Sequence, residues 1–169
     1  MKKLFLSAVI AVFGFSVMNA QGGFKVGLNF ALPVGDAADI SSFSLGLDAA
    51  YLVEVSEKFA VGGATGFTNA FGKSETLSGF GYSFDVEYDD VQFIPVAAAA
   101  RFYATEKFYA GADLGYAIGI DDGNDGGFYY RPKVGYNFTD MIGANFSYTG
   151  ISLDGGDWST IGLGVEFSF

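Results

Sequence analysis

Thr160-Ile161-Gly162-Leu163-Gly164-Val165-Glu166-Phe167-Ser168-Phe169 is the stretch whose reading decides the fold. Ile161, Leu163, Val165, Phe167 and Phe169 alternate with Thr160, Gly162, Gly164, Glu166 and Ser168. A period of two gives a strand with one wholly apolar face and one small or polar face. At the edge of a soluble sheet such a strand invites aggregation. It makes sense where it pairs back to the first strand and turns its apolar face to lipid, since a closed sheet leaves no backbone group unpaired in hydrocarbon. The expectation is an all-β chain folded as an eight-stranded antiparallel up-and-down transmembrane β-barrel.

Outward from that stretch, seven further alternating segments cover residues 24–32, 43–54, 59–71, 92–103, 108–120, 128–138 and 141–149. Each is near the roughly 9–11 residues that a tilted membrane strand needs. No outward position in them is charged, where Lys or Arg at the bilayer midplane would cost about 2–4 kcal/mol. Connections are short at 55–58, 104–107 and 139–140, and longer at 33–42, 72–91, 121–127 and 150–158. That asymmetry predicts periplasmic turns below, with both termini, and extracellular loops above. Aromatic residues gather at segment ends, as two girdles would require: Phe24, Phe59, Phe102, Phe108, Phe138 and Phe167 below, Phe43, Phe71, Phe128, Tyr148 and Trp158 above. Pro95 and Pro132 each delete a ladder hydrogen bond, so bulges are expected there. Phe80, Tyr82, Phe84, Val86 and Tyr88 alternate in phase with the fourth segment. They predict that this segment continues above the membrane and pairs with an extension of the third.

The first residues read differently. Met1-Lys2-Lys3, an apolar run from Leu4 to Val17, and Met18-Asn19-Ala20 have the three parts of a secretory signal peptide. The expected division is a leader over 1–20, cleaved after Ala20, and a barrel over 21–169. Later apolar runs are too short for a membrane helix. With no cysteine there is no disulfide framework, thiolate metal site or lipoprotein-type acylation site.

Charge separates by height. Inward positions carry Lys25, Arg101, Arg131 and Lys133 against Asp48, Glu54, Asp113 and Glu166. An eight-stranded barrel is just wide enough for side chains to fill it, so these charges must pair. The expected partners are Glu166 with Lys25 across the closing seam, Asp113 with Lys133 on neighbouring strands, and Asp48 with Arg131 across the lumen. The upper connections hold Asp36, Asp39, Glu75, Asp85, Glu87, Asp89, Asp90, Asp121, Asp122, Asp125, Asp154 and Asp157 against Lys73 alone. Twelve acids against one base disfavour nucleic acid and other anionic partners. Asp121-Asp122-Gly123-Asn124-Asp125-Gly126 offers oxygens to a calcium ion, but Gly123 stands where an EF-hand needs its third-position ligand. A solvated acidic loop is the preferred reading, with no metal or other cofactor.

Catalysis finds little to work with. With no His and no Cys, the Ser-His, Cys-His and His-metal arrangements are impossible. Adjacent pairs such as Asp89-Asp90 point apart in extended chain.

The alternating strands, with Gly164 leading to Phe167-Ser168-Phe169, resemble small outer-membrane barrel proteins of Gram-negative bacteria. Gly164, Phe167 and Phe169 are similar to the C-terminal signal read by the barrel-assembly machinery, with Gly162 replacing its usual leading polar residue. Phe93-Ile94-Pro95-Val96, Arg101-Phe102-Tyr103 and Tyr109-Ala110-Gly111-Ala112-Asp113-Leu114-Gly115-Tyr116 resemble the porin-like β-barrel domain common in Bacteroidota. The architecture is similar to the OmpX type and to the membrane domain of the OmpA type. Barrel enzymes of this size rely on a catalytic His that is missing here. The resemblance implies a monomeric, non-enzymatic outer-membrane protein in contact with lipid, with an envelope-structural or surface-display role through its acidic loops. The alternative is a narrow porin-like channel for small or hydrophobic solutes, favoured by the inward glycines.

Overall fold

A computed structural model describes residues 22–79 and 82–169. The expected leader over 1–20 and its expected cleavage site lie outside the described residues, as does Phe80. β1 (Gly22–Val34) leads through a single helical turn, α1 (Ala37–Ile40), into β2 (Ser41–Ser56) and β3 (Phe59–Gly72). β4 (Ser74–Gly79) and β5 (Tyr82–Glu87) follow, then β6 (Val91–Tyr103), β7 (Phe108–Gly119), β8 (Gly127–Asn137), β9 (Ile142–Leu153) and β10 (Gly156–Ser168). Eight of these close into an antiparallel barrel in the order β1-β10-β9-β8-β7-β6-β3-β2.

Closure is made by the stretch quoted first. Phe167 faces Val26, Leu163 faces Phe30, and the Phe169 N–H donates to the Phe24 carbonyl at 2.9 Å. Partners followed once around the wall run Phe24, Tyr51, Gly63, Ala98, Leu114, Tyr130, Gly150, Ser159 and return to β1 at Val34. One circuit thus climbs from position 24 to 34, ten residues, and that stagger tilts the strands against the barrel axis. Two of the three lower turns repeat one local device. Thr105 Oγ1 accepts from the Phe108 N–H at 2.9 Å, and Thr139 Oγ1 accepts from the Ile142 N–H at 3.0 Å. A threonine hydroxyl closing its own turn lets these links stay short.

Outward side chains are apolar and open to the surroundings: Leu163 is 65% exposed and Leu28 59%, values at home in lipid and costly in water. Phe43 stacks between Phe30 and Phe71 at 5.9 and 4.5 Å on the upper wall, and Phe59 meets Phe102 at 5.9 Å on the lower. Trp158 departs from the expected upper girdle. It is buried inside, 5.7 Å from Phe93, among Ala37, Tyr129 and Ile151. Its position shares the parity of Thr160, and the turn at Asp154-Gly155 lets β10 begin early enough to carry it inward. The connection expected over 150–158 is therefore two residues long, with Gly155 at φ 120°.

Neither proline produces a bulge. The β3–β6 register is the same at Thr65↔Val96 and Thr68↔Phe93, with bridging lost only between them at Pro95. The β8–β9 register is likewise unchanged between Tyr130↔Gly150 and Lys133↔Ser147, around Pro132. Each proline keeps its pairing on the opposite side, to Ala117 and Ala112. A missing N–H opens the ladder for two residues without adding one. Irregularities instead mark the two ends of β2.

Above the barrel, β4 and β5 pair as a separate two-stranded ribbon. The third strand's extension does meet the chain leading into β6, but both arms break from the barrel, at Lys73 and at 88–90. The Tyr88 N–H donates to the Lys73 carbonyl at 2.9 Å and closes the ribbon's base.

Candidate functional site

Alternation sends every second side chain of the barrel strands into the lumen, where the principal constellation is ionic. Lys25 on β1 and Glu166 on β10 meet at 3.1 Å, and the same ammonium donates to Ser168 Oγ at 2.8 Å. Asp113 on β7 holds two cations: Arg101 Nη1 at 2.7 Å on one oxygen and Lys133 Nζ at 2.7 Å on the other. Arg131 lies directly opposite Asp113 in register, yet reaches across the lumen to Asp48 on β2 at 2.7 Å. Asn29 Nδ2 donates to that Asp48 oxygen as well. Arg101 and Asp113 are each only 2% exposed, so their attraction acts with little screening.

Sequence reasoning placed eight charges in this network, and the structure gathers seven. Glu54 is exposed at the lower rim, where β2 meets its irregular end, and it faces the open mouth with Glu57 and Lys58. Its parity is inward, but its height puts it in water. The Arg101–Asp113 contact was not among the expected pairs. It joins adjacent strands on a diagonal, from Arg101 opposite Gly111 to Asp113 opposite Ala99, and needs the register to be seen.

Two of the inward glycines, Gly111 and Gly135, do not widen the lumen. A Cβ on Gly111 would lie 2.5 Å from Arg101 Cδ, and one on Gly135 would lie 2.2 Å from the Tyr109 ring. Both are notches filled by a large neighbour, whereas Gly27 and Gly46 meet only looser contacts and each line a small hollow. What space remains runs in series. A lower mouth of about 700 Å³ opens between the short turns, with Lys25 at its inner end. Above it a hollow of about 20 Å³ is bounded by all seven charged side chains. A second hollow of about 40 Å³ shares Asp48 and Arg131 with the first, is lined by Ser44, Thr68 and Thr160 hydroxyls, and ends under Phe93 and Trp158. These upper hollows have room for a few water molecules. Over them sits α1, with Ala37 buried in the apolar cluster; Lys73 bonds the Ala38 carbonyl through Nζ and the Ile40 carbonyl through its N–H.

At the upper rim the carboxylates are spread over several turns. Asp89, Asp122, Asp125, Asp154 and Asp157 are exposed. Asp90 accepts from Asn69 Nδ2 and from the Gly72 N–H, both at 3.0 Å, and these bonds, the Asn69 one foremost, hold its carboxyl below the usual carboxylate range. Asp121 Oδ1 accepts from the Gln92 N–H at 2.7 Å and from Asn124 Nδ2 at 3.2 Å, while Asn124 Oδ1 accepts from the Gly126 N–H. The Asp121–Gly126 loop thus spends Asp121 Oδ1 on β6 and on Asn124, and Asn124 Oδ1 on its own backbone. Among the described residues no group of three or more acidic side chains is arranged to hold a metal ion.

No family model and no curated protein matches the chain. Solved structures do. The attachment invasion locus protein Ail of Yersinia pestis is similar at a TM-score of 0.61 and 17% identity, over 90% of this chain and 100% of that one. A second structure of Ail, in complex with the heparin analogue sucrose octasulfate, gives 0.58 and 18% over 90% and 100%. The outer membrane protein OprG of Pseudomonas aeruginosa gives 0.52 and 13% over 89% and 99%. The shared property is the fold of a small outer-membrane β-barrel.

Proposed function

We propose that the protein is a non-enzymatic, monomeric barrel of the bacterial outer membrane, related to the porin-like barrels of Bacteroidota, that presents acidic extracellular surface. In this reading the short turns and termini face the periplasm, lipid surrounds the wall, and Gly164, Phe167 and Phe169 are read by the barrel-assembly machinery. The observation that carries it is the division of labour by position: an oil-facing wall, a lumen closed by ion pairs, and a ribbon standing clear of the barrel. The role is envelope support with display, and the partner is neutral or cationic. Ail binds a sulfated polyanion in its crystal. Here the upper connections carry twelve acids against Lys73 alone, which repels such a ligand.

Deleting residues 74–88 tests the display reading. The shortened barrel should still insert and keep the faster gel mobility of folded, unheated protein. An epitope placed at position 80 of the full chain should be stained on intact cells. Failed insertion of the deletion variant, or staining only after the outer membrane is broken, refutes it. Steady single-channel conductance in a planar bilayer would replace it with a narrow porin-like channel for small or hydrophobic solutes, entered from the 700 Å³ lower mouth.

A further inference from the structure

The lumen charges do not cancel. With Glu54 out in water at the rim, Lys25 and Glu166 pair beside the lower mouth, and beyond them Arg101, Arg131 and Lys133 face Asp48 and Asp113, an excess of one positive charge. Surrounded by strands and then by hydrocarbon, an uncompensated charge there is strongly disfavoured. Arg101 and Lys133 share a single carboxylate. The Nε donors of Arg101 and Arg131, residues only 2% and 6% exposed, have no acceptor among the described residues. Both side chains border the 20 Å³ hollow, together with every other charge of the set.

We propose that this hollow binds one small monovalent anion, of the size and charge of chloride. The volume suits a single particle about as large as a water molecule, which excludes sulfate, phosphate and any organic anion. The three carboxylates on the same wall each hold a cation, and the Nε edges of Arg101 and Arg131 are the donors left over. The bound ion would bring the interior to neutrality and supply the acceptor that the two arginines lack.

The test uses the full barrel refolded in detergent at fixed pH and ionic strength, with chloride exchanged stepwise for gluconate and unfolding by urea followed through Trp158 fluorescence. Saturable stabilisation is expected: well above the dissociation constant, each tenfold rise in chloride raises the folding equilibrium constant tenfold. Arg101→Met leaves three cations and three carboxylates in complete pairs, and should remove the chloride dependence. Lys133→Met should do the same by a second route, with Asp113 keeping Arg101. A crystal grown in bromide should show one anomalous peak within hydrogen-bond reach of the Arg101 or Arg131 guanidinium. Equal midpoints in chloride and gluconate overturn the proposal and leave loss of a proton from a buried base as the neutralising event. A dependence that survives in both variants overturns it as a general salt effect. If Arg101→Met fails to fold, Lys133→Met and the bromide peak decide.

Discussion

Asp113→Asn is the substitution to which this barrel should be most sensitive. It removes the one carboxylate shared by Arg101 and Lys133, breaking two charge-assisted contacts of 2.7 Å at a site 2% exposed. Breaking a buried ion pair from one side costs about 3–5 kcal/mol, because the abandoned charge stays buried. Two cations are abandoned here, and the asparagine oxygen compensates only in part, so the upper part of that range is expected. With a urea slope of roughly 2 kcal/mol/M, the unfolding midpoint should fall by on the order of 2 M. Arg101→Met should cost less, since Lys133 and Asp113 then form a complete pair. Combining it with Asp113→Asn should be milder than the sum of the two, as coupled sites require. Trp158, the chain's single tryptophan and buried against Phe93, reports the transition. A midpoint for Asp113→Asn that corresponds to less than about 1 kcal/mol would refute the idea that the network acts in a poorly screened interior.

Leu163→Arg places a charge on an outward position of β10 and should lower stability in vesicles by about 2–4 kcal/mol, against little change in a soluble sheet; reversible unfolding from lipid vesicles measures it. Gly111→Val should destabilise by about 1–3 kcal/mol through overpacking, with only partial rescue by Arg101→Ala, because the added Cβ also meets the Ala100 carbonyl at 2.6 Å. Asp90 has a carboxyl held below its unfolded range, so its anchoring of Gly72 is fully present at neutral pH and is lost as pH falls through the folded value. Hydrogen exchange at the Gly72 amide should therefore show less protection at acid pH than neutral-pH rates predict, and Asp90→Asn should abolish that difference; identical protection in the two proteins would contradict it.

The wall was legible in the sequence because a strand's parity does not depend on its neighbours: Leu28, Leu47, Phe67 and Leu163 could be assigned to the outside from alternation alone. Height was less legible. Glu54 has inward parity, yet whether it meets water depends on where the β2–β3 turn sits relative to the rim. Trp158 shows the same difficulty from the other end, since its inward direction follows from Thr160 only once β10 is known to reach Gly156. Partners on neighbouring strands, such as Lys25 and Glu166, can be read from strand order. The Asp48–Arg131 pair across the lumen was also expected and is present, but Arg101–Asp113 was not, because its diagonal from Arg101 opposite Gly111 to Asp113 opposite Ala99 follows only from the register. Nor does composition reveal that a glycine notch is occupied; that takes the position of the Tyr109 ring over Gly135.

The interrupted ladders at Pro95 and Pro132 have a mechanical consequence. They lie at the β3–β6 and β8–β9 boundaries, so the cylinder consists of two staves, one of β6, β7 and β8 and the other of the remaining five strands. Within each stave the backbone is stitched apart from the two ends of β2; between them, two seams carry missing stitches at mid-strand. Under heat or tension the ring should part along those seams first and shed a three-stranded plank rather than unravel from its ends.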